Sequence, residues 1–141
     1  MKQNGGLDKE INYKNGLRDG LYIQYETYTK GKFIETYKEG LLHGSAKYYY
    51  PGGKLSSEVT YVNGKQTGHY KKYYKNGKIE KEGTVKDGIV HGSFKKYYEN
   101  GQLKSDGIYK NGLKDGVYKE YHENGTLRIT ATYKDDIRVQ E

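Results

Sequence analysis

Hydrophobic and charged side chains alternate along most of this chain, which is the period-two pattern of β-strands. Short glycine-containing segments separate the alternating stretches. The dipeptides Asn76-Gly77, Asn100-Gly101 and Asn124-Gly125, together with Gly52-Gly53, favour two-residue type I′ turns, in which both central residues have positive φ. The pattern therefore predicts a series of β-hairpins.

The hairpin pattern repeats every 24 residues. The marker residue of each unit lies at Tyr13, Tyr37, Tyr61, Val85, Tyr109 and Tyr133. Two glycines follow it at fixed spacing in five units, at Gly16 and Gly20, Gly40 and Gly44, Gly64 and Gly68, Gly88 and Gly92, and Gly112 and Gly116. Repetition at a fixed period is the signature of a fold built from stacked equivalent units.

These observations predict an all-β protein, an elongated twisted antiparallel meander of 24-residue β-hairpin repeats with about eleven strands. We expect residues 4–134 to form a single repeat domain of about five units plus a half unit at the start. Residues 135–141 are expected to form a charged C-terminal tail or cap, because Asp135-Asp136 replaces the Asn-Gly dipeptide there. The first unit departs from the others, with its turn expected at Lys30-Gly31 and Tyr28 opposite Phe33.

Counting outward from each turn predicts which residues face each other. The expected charge pairs on one face are Lys47 with Glu58, Lys71 with Glu82, and Lys95 with Asp106. On the other face, a large residue meets a small one, as in Tyr70 with Gly83, Phe94 with Gly107, Tyr118 with Ala131, and Val59 with Ala46. The next expected pairs on that face are Tyr50 with Leu55, Tyr74 with Ile79, and Tyr98 with Leu103.

Composition narrows the possible functions. The chain contains no Cys, which excludes disulfides, thiol catalysis and Cys-based metal sites. No apolar run is long enough to span a membrane as a helix. Residues 1–6 lack the apolar stretch of a secretory signal, so we expect a cytoplasmic protein, or an exported or cell-surface one if a signal has been trimmed.

No reactive constellation emerges from the pattern. His43 and His91 occupy the same position two units apart, roughly 19 Å from each other at four strand spacings, and cannot share a zinc ion. No Asp or Glu recurs beside Ser45 and Ser93 to complete a catalytic triad. We therefore expect neither an enzyme nor a protein with a metal or other cofactor.

Candidate partner-binding residues lie in the predicted loops between the paired glycines and in a tyrosine cluster. They are Leu41, Leu42, His43, Tyr48, Tyr49, Ile89, Val90 and His91. The loops of the alternate units are polar or mixed, so the apolar ones could mark a contact surface, and Tyr is enriched at binding hot spots. The alternative is that these residues pack onto the sheet.

The net charge of +7 leaves a second possibility open. Lys72 and Lys96 are predicted on the aromatic face, where interleaved Tyr and Lys side chains could bind nucleic acid or an anionic membrane surface. The alternative is that the lysines keep an edge-rich sheet soluble.

The segments YKNGLKDGVY (109–118) and YYENGQLKSDG (97–107) resemble the bacterial variant of the MORN repeat. The resemblance implies an antitoxin or immunity protein that neutralises a partner toxin by direct binding. It also leaves two alternatives, a scaffold that self-assembles as a homodimer through its strand edges, and a binder of anionic lipid headgroups or nucleic acid. No active-site residue is implied.

Overall fold

The computed structural model describes residues 9–26 and 31–139, which form one antiparallel sheet of 13 strands. The strands are β1 (Lys9–Lys14), β2 (Leu17–Tyr25), β3 (Lys32–Lys38), β4 (Leu41–Leu42), β5 (Gly44–Tyr49), β6 (Leu55–Val62), β7 (Lys65–Tyr73), β8 (Ile79–Lys86), β9 (Ile89–Tyr97), β10 (Leu103–Lys110), β11 (Leu113–Tyr121), β12 (Leu127–Lys134) and β13 (Ile137–Arg138). Successive strands are neighbours, except that β4 and β5 both pair with β3, so the predicted all-β meander is confirmed. The described part of the chain contains no helix that could cross a lipid bilayer.

Beyond the residues next to the turns, the strand register within each unit agrees with the prediction. All three expected charge pairs and all four large-with-small pairs face each other. The register between units adds pairs that were not predicted, among them Glu58 with Lys71 and Glu82 with Lys95. Positive and negative side chains therefore alternate from Lys47 on β5 to Lys119 on β11, a row that we call the charge ladder.

The two-residue type I′ turn predicted at Asn76-Gly77 and its equivalents is wrong, although Gly52 and Gly53 both have the predicted positive φ. The N–H of Gly77 donates to the carbonyl oxygen of Tyr74 (3.0 Å) and Gly77 alone has positive φ, which defines a three-residue turn. The longer turn moves the adjacent pairing by one residue, so that Tyr73, not Tyr74, faces Ile79. The other two aromatic–aliphatic pairs are displaced in the same way, to Tyr49 with Leu55 and Tyr97 with Leu103.

A β-bulge corrects the register in the four hairpins β5–β6, β7–β8, β9–β10 and β11–β12. The pairing shifts by one residue between Lys72 and Tyr73, which leaves Glu80 unpaired and returns Lys71 to Glu82. The true type I′ turns are at the other end of the sheet, at Asn63-Gly64 and the equivalent positions. There both residues have positive φ, 48° and 84°.

Consecutive units are joined by side chains as well as by the ladder. The hydroxyl groups of Tyr50, Tyr74 and Tyr98 each donate to a backbone carbonyl 23 residues further on (2.6–2.7 Å). At the opposite end, the N–H of Gly64 donates to the carbonyl oxygen of Leu42 (2.7 Å), and the same bond recurs in other units. These contacts fix each hairpin against the next.

The sheet is a single layer with very little enclosed core. The buried hydrophobic side chains of the described residues are the small ones, Ala46, Val59, Val85 and Ala131, and no large side chain among those residues is fully buried. Among the described residues, neither face of the sheet is covered by a second layer.

The two chain ends and the first turn differ from the regular units. The expected turn at Lys30-Gly31 and the pair of Tyr28 with Phe33 fall partly outside the described residues, although Glu26 N–H donates to Gly31 (2.9 Å). Asp135 and Asp136 form a turn with positive φ that leads into β13.

Candidate functional site

One face of the sheet carries a strip of aromatic rings, which we call the aromatic face. Its rings are those of Tyr22, Phe33, Tyr37, Tyr48, Tyr70, Phe94, Tyr109, Tyr118 and Tyr133. Their centroids lie 5.7–6.4 Å apart in six pairs, within the range of favourable aromatic contacts.

Glycines opposite the large rings make this strip possible. Phe94 lies between Gly83 and Gly107 on the two adjacent strands. A Cβ atom added at Gly83 would lie 2.7 Å from the carbonyl oxygen of Ser93, 3.0 Å from Phe94 Cα, and even closer to the Phe94 ring. The predicted arrangement, in which a ring covers bare backbone, is therefore confirmed.

The tyrosine hydroxyl groups of the strip are held by carboxylates. Tyr37 and Tyr48 donate to the two carboxylate oxygens of Glu35 (both 3.0 Å), and Tyr118 donates to Glu120 (2.8 Å). Burial, followed by the hydrogen bond to Glu120, raises the pKa of Tyr118 to about 12. Burial is also the main cause of the raised pKa of Tyr48, Tyr70 and Tyr109.

Cations lie over several of these rings. The guanidinium of Arg18 is 4.9 Å from the ring centre of Tyr22, and Lys114 Nζ is 3.9 Å from that of Tyr118. Both cations extend the aromatic face toward the type I′ turns. The face is thus aromatic and basic at once.

The opposite face carries the charge ladder and a shallow groove. A cavity of about 500 Å³ is lined by Glu58, Lys71, Glu82 and Lys95 together with the neighbouring Thr60, His69, Thr84 and Ser93. The ladder side chains face each other in register but do not close into ion pairs within 4 Å. The ion pairs between described residues are Lys72–Glu80 (3.3 Å) and Arg128–Glu120 (2.9 Å).

A comparison with protein families identifies the repeat. The family model described as the MORN repeat variant matches residues 42–63, 66–87, 90–111 and 114–135, more than half of the chain. The chain belongs to the MORN repeat variant family. MORN repeats typically serve as scaffolds that bind proteins or membranes.

Other comparisons add no functional argument. Three solved structures share a partial likeness in fold, those of TarM, of the pneumococcal O-GlcNAc transferase GtfA with UDP and GlcNAc, and of the GtfA/B complex. Their sequence identities are 15%, 15% and 11%, with TM-scores of 0.41, 0.33 and 0.33 over 81%, 89% and 84% of this chain. The chain spans only about a fifth of each, at 21%, 21% and 20%. A search of curated proteins finds no match.

The residues predicted to bind a partner are divided between the two faces. Two of the segments that carry them were predicted as loops, but Leu41 and Leu42 form β4, His43 lies between β4 and β5, and Ile89, Val90 and His91 begin β9. Leu42 and Val90 face Tyr37 and Val85 and are half-buried on the aromatic face. Their sequence neighbours Leu41 and Ile89 point the other way and are about half exposed (51% and 49%).

Tyr48 and Tyr49 are divided in the same manner. Tyr48 belongs to the aromatic face, where its ring contacts Phe33 at 6.0 Å. Tyr49 is on the charge-ladder face, where Lys32 Nζ is 5.2 Å from its ring centre. The predicted residues therefore form two surfaces, and only Leu42, Val90 and Tyr48 belong to the aromatic one.

The side chains of His43 and His91 each accept a hydrogen bond from a backbone N–H group 20 residues further along the chain. The N–H of Asn63 donates to Nδ1 of His43 (3.2 Å), and that of Asn111 donates to Nδ1 of His91 (3.3 Å). In equivalent positions Asp19 and Thr67 accept the same kind of bond (3.2 and 3.0 Å). The equivalent residue of each unit is Asp, His or Thr, and each of these side chains has an atom that can accept a hydrogen bond. This recurrence was the sequence signal for the structural role of the two histidines. Among the described residues, no three His, Asp or Glu side chains are close enough to hold a metal ion.

We expect His91→Ala to lower the free energy of unfolding by about 1 kcal/mol, because the Asn111 N–H loses its acceptor. His91→Thr should retain most of the stability, since Thr67 fills the equivalent position. Urea denaturation of both variants measures the difference. Equal stability of His91→Ala and the unsubstituted protein, or an equal loss in both variants, would show that the bond contributes nothing.

Proposed function

We propose that this MORN protein is a non-catalytic binding protein and that its aromatic face is the surface that contacts another protein. The observation that carries the proposal is the strip of half-buried rings on a sheet that the described residues leave without a second layer. Aromatic side chains supply large contact areas and are enriched at protein interfaces.

The use of the polar groups supports a binding role over a catalytic one. His43 and His91 are engaged with backbone N–H groups, and Glu35 and Glu120 hold tyrosine hydroxyl groups. These groups fix the sheet rather than converge on a point where a substrate could react.

The specific role we propose is that of a bacterial antitoxin or immunity protein, which neutralises a toxin in the cytoplasm by binding it directly. The support for this role is the resemblance of the repeat to the bacterial MORN variant. No cofactor is required, because neutralisation by contact needs only complementary surfaces.

The experiment is co-expression with the toxin encoded beside this gene, with growth and complex formation as the readouts. Leu42→Asp with Val90→Asp should weaken toxin binding at least about tenfold. The fold should persist, because charged residues, Arg18 and Lys114, occupy the positions equivalent to Leu42 and Val90 in other units. The matched control, Leu41→Asp with Ile89→Asp, makes the same charge change on the opposite face and should retain neutralisation.

A toxin that is neither bound nor neutralised by the unsubstituted protein would contradict the proposed role. Loss of neutralisation only in the Leu41/Ile89 variant would instead place the contact on the charge-ladder face. Thermal melting of both variants separates lost binding from lost folding, since residues that form core would lower the melting temperature on substitution.

A further inference from the structure

Three lysines face one another on the aromatic face. Lys72 on β7 is opposite Lys81 on β8, which is in turn opposite Lys96 on β9. Like charges directly across neighbouring strands destabilise a sheet. The chain retains this arrangement although the ladder on its other face alternates positive and negative charges.

Comparison of equivalent positions in neighbouring units shows that Lys96 lacks an acidic partner. In the unit before it, Lys72 forms an ion pair with Glu80 at 3.3 Å. In the unit after it, the signs are exchanged and Glu120 pairs with Arg128 at 2.9 Å. The equivalent two positions of the middle unit hold Lys96 and Lys104, two cations with no carboxylate between them.

The cations of this group are accessible. Lys96 and Lys104 are exposed, and no described side chain forms an ion pair with either of them. Lys81 Nζ is 5.9 Å from the ring centre of Tyr70, and Lys104 Nζ is 5.6 Å from that of Tyr98. Tyr70 and Tyr98 thus border a cluster formed by Lys81, Lys96 and Lys104, and no described carboxylate forms an ion pair with these three lysines.

We propose that Lys81, Lys96 and Lys104 bind an acidic segment of the partner protein. A carboxylate of that segment takes the place that Glu80 and Glu120 fill in the neighbouring units. The inference rests on the proposed function, because it names the chemistry of the partner at the proposed contact face. The chain's net charge of +7 favours such a partner at long range.

The neighbouring rings favour an acidic protein over a nucleic acid. Binding of single strands depends on aromatic faces that are free to stack on bases. Tyr70 and Phe94 are already stacked on each other, with centroids 6.4 Å apart and an interplanar angle of 17°, and Phe94 covers Gly83. The lysine ammonium groups are therefore the part of this cluster that is free to bind, and carboxylates are their partners in this chain.

The test measures binding of a fluorescein-labelled hexaglutamate peptide by anisotropy at low and moderate salt. Hexaglutamine, a 12-mer of thymidylate and phosphatidylserine vesicles serve as the other probes. Lys104→Glu supplies the carboxylate that Glu80 supplies one unit earlier, and should weaken hexaglutamate binding at least about tenfold. Lys86→Glu makes the same charge change at the far end of β8 and should alter binding less than about twofold.

Equal effects of the two substitutions, or absence of hexaglutamate binding, would overturn the proposed site. Tighter binding of thymidylate or of vesicles, with the same sensitivity to Lys104→Glu, would replace the acidic segment with that ligand. A Lys104→Glu protein that still neutralises the toxin overturns this site alone, whereas failure of the unsubstituted protein to bind the toxin overturns the proposed function.

Discussion

Gly83→Ala is expected to destabilise this protein by about 3 kcal/mol, the upper end of the usual cost of overpacking. The added Cβ would meet the Phe94 ring and lie 2.7 Å from the Ser93 carbonyl oxygen. The backbone of Gly83 does not have positive φ, so the loss arises from packing and not from backbone strain. Urea denaturation followed by circular dichroism gives the change in the free energy of unfolding.

A double-mutant cycle isolates the cause of that loss. Phe94→Ala removes the ring, so Gly83→Ala should cost less in the Phe94→Ala background than in the unsubstituted protein, and the cost that remains comes from the 2.7 Å contact with the Ser93 carbonyl oxygen. Another unit of the chain has this kind of combination. Ala46 occupies the position equivalent to Phe94, and the residue that it faces within its hairpin is the larger Val59. If the cost of Gly83→Ala were the same in both backgrounds, the ring would not be the obstacle.

The second large effect is expected at alkaline pH. Tyr118 has a pKa of about 12 in the folded protein against 10.0 as the ordinary value. Because the folded-state pKa is the higher one, the stabilisation is complete below pH 10 and is lost as the pH rises from 10 through 12. Tyr48, Tyr70 and Tyr109 have a pKa raised in the same direction, so their losses add to that of Tyr118.

Urea denaturation between pH 8 and pH 12, with tyrosinate absorbance recorded in parallel, measures this dependence. The lysine ion pair contributes with the same sign, because Glu80 raises the pKa of Lys72. Tyr118→Phe should make the decline in stability shallower, since one of the titrating groups is removed. Constant stability up to pH 12, or full ionisation of all tyrosines near pH 10 without unfolding, would contradict the account.

The register was predictable because two independent patterns within a unit agree on it. Lys71 with Glu82 and Tyr70 with Gly83 are satisfied by one alignment only, since a shift of one residue would reverse the faces. The turn was not predictable from Asn76-Gly77 alone, because Asn-Gly also fits a three-residue turn in which only the glycine has positive φ. Further along the strands, the bulge at Glu80 returns the pairing to the predicted alignment.

The candidate surface was predictable only in part. Alternation placed Lys72 and Lys96 on the aromatic face, and the structure agrees. The pairing of Lys72 with Lys81 follows from the same alignment as Lys71 with Glu82, whereas the pairing of Lys81 with Lys96 depends on how one unit pairs with the next. For the same reason, the sequence pattern predicts neither the hydrogen bond from Asn63 to His43 nor the short strand at Leu41–Leu42.

Lysine footprinting of the complex with the partner toxin tests the central claim, that the aromatic face is the contact surface. Lys95 and Lys96 are sequence neighbours on opposite faces, as are Lys71 and Lys72. The account predicts that binding protects Lys72 and Lys96 from acetylation and leaves Lys71 and Lys95 as reactive as in the free protein. Protection of Lys71 and Lys95 with Lys72 and Lys96 unchanged would contradict it and move the interface to the charge ladder.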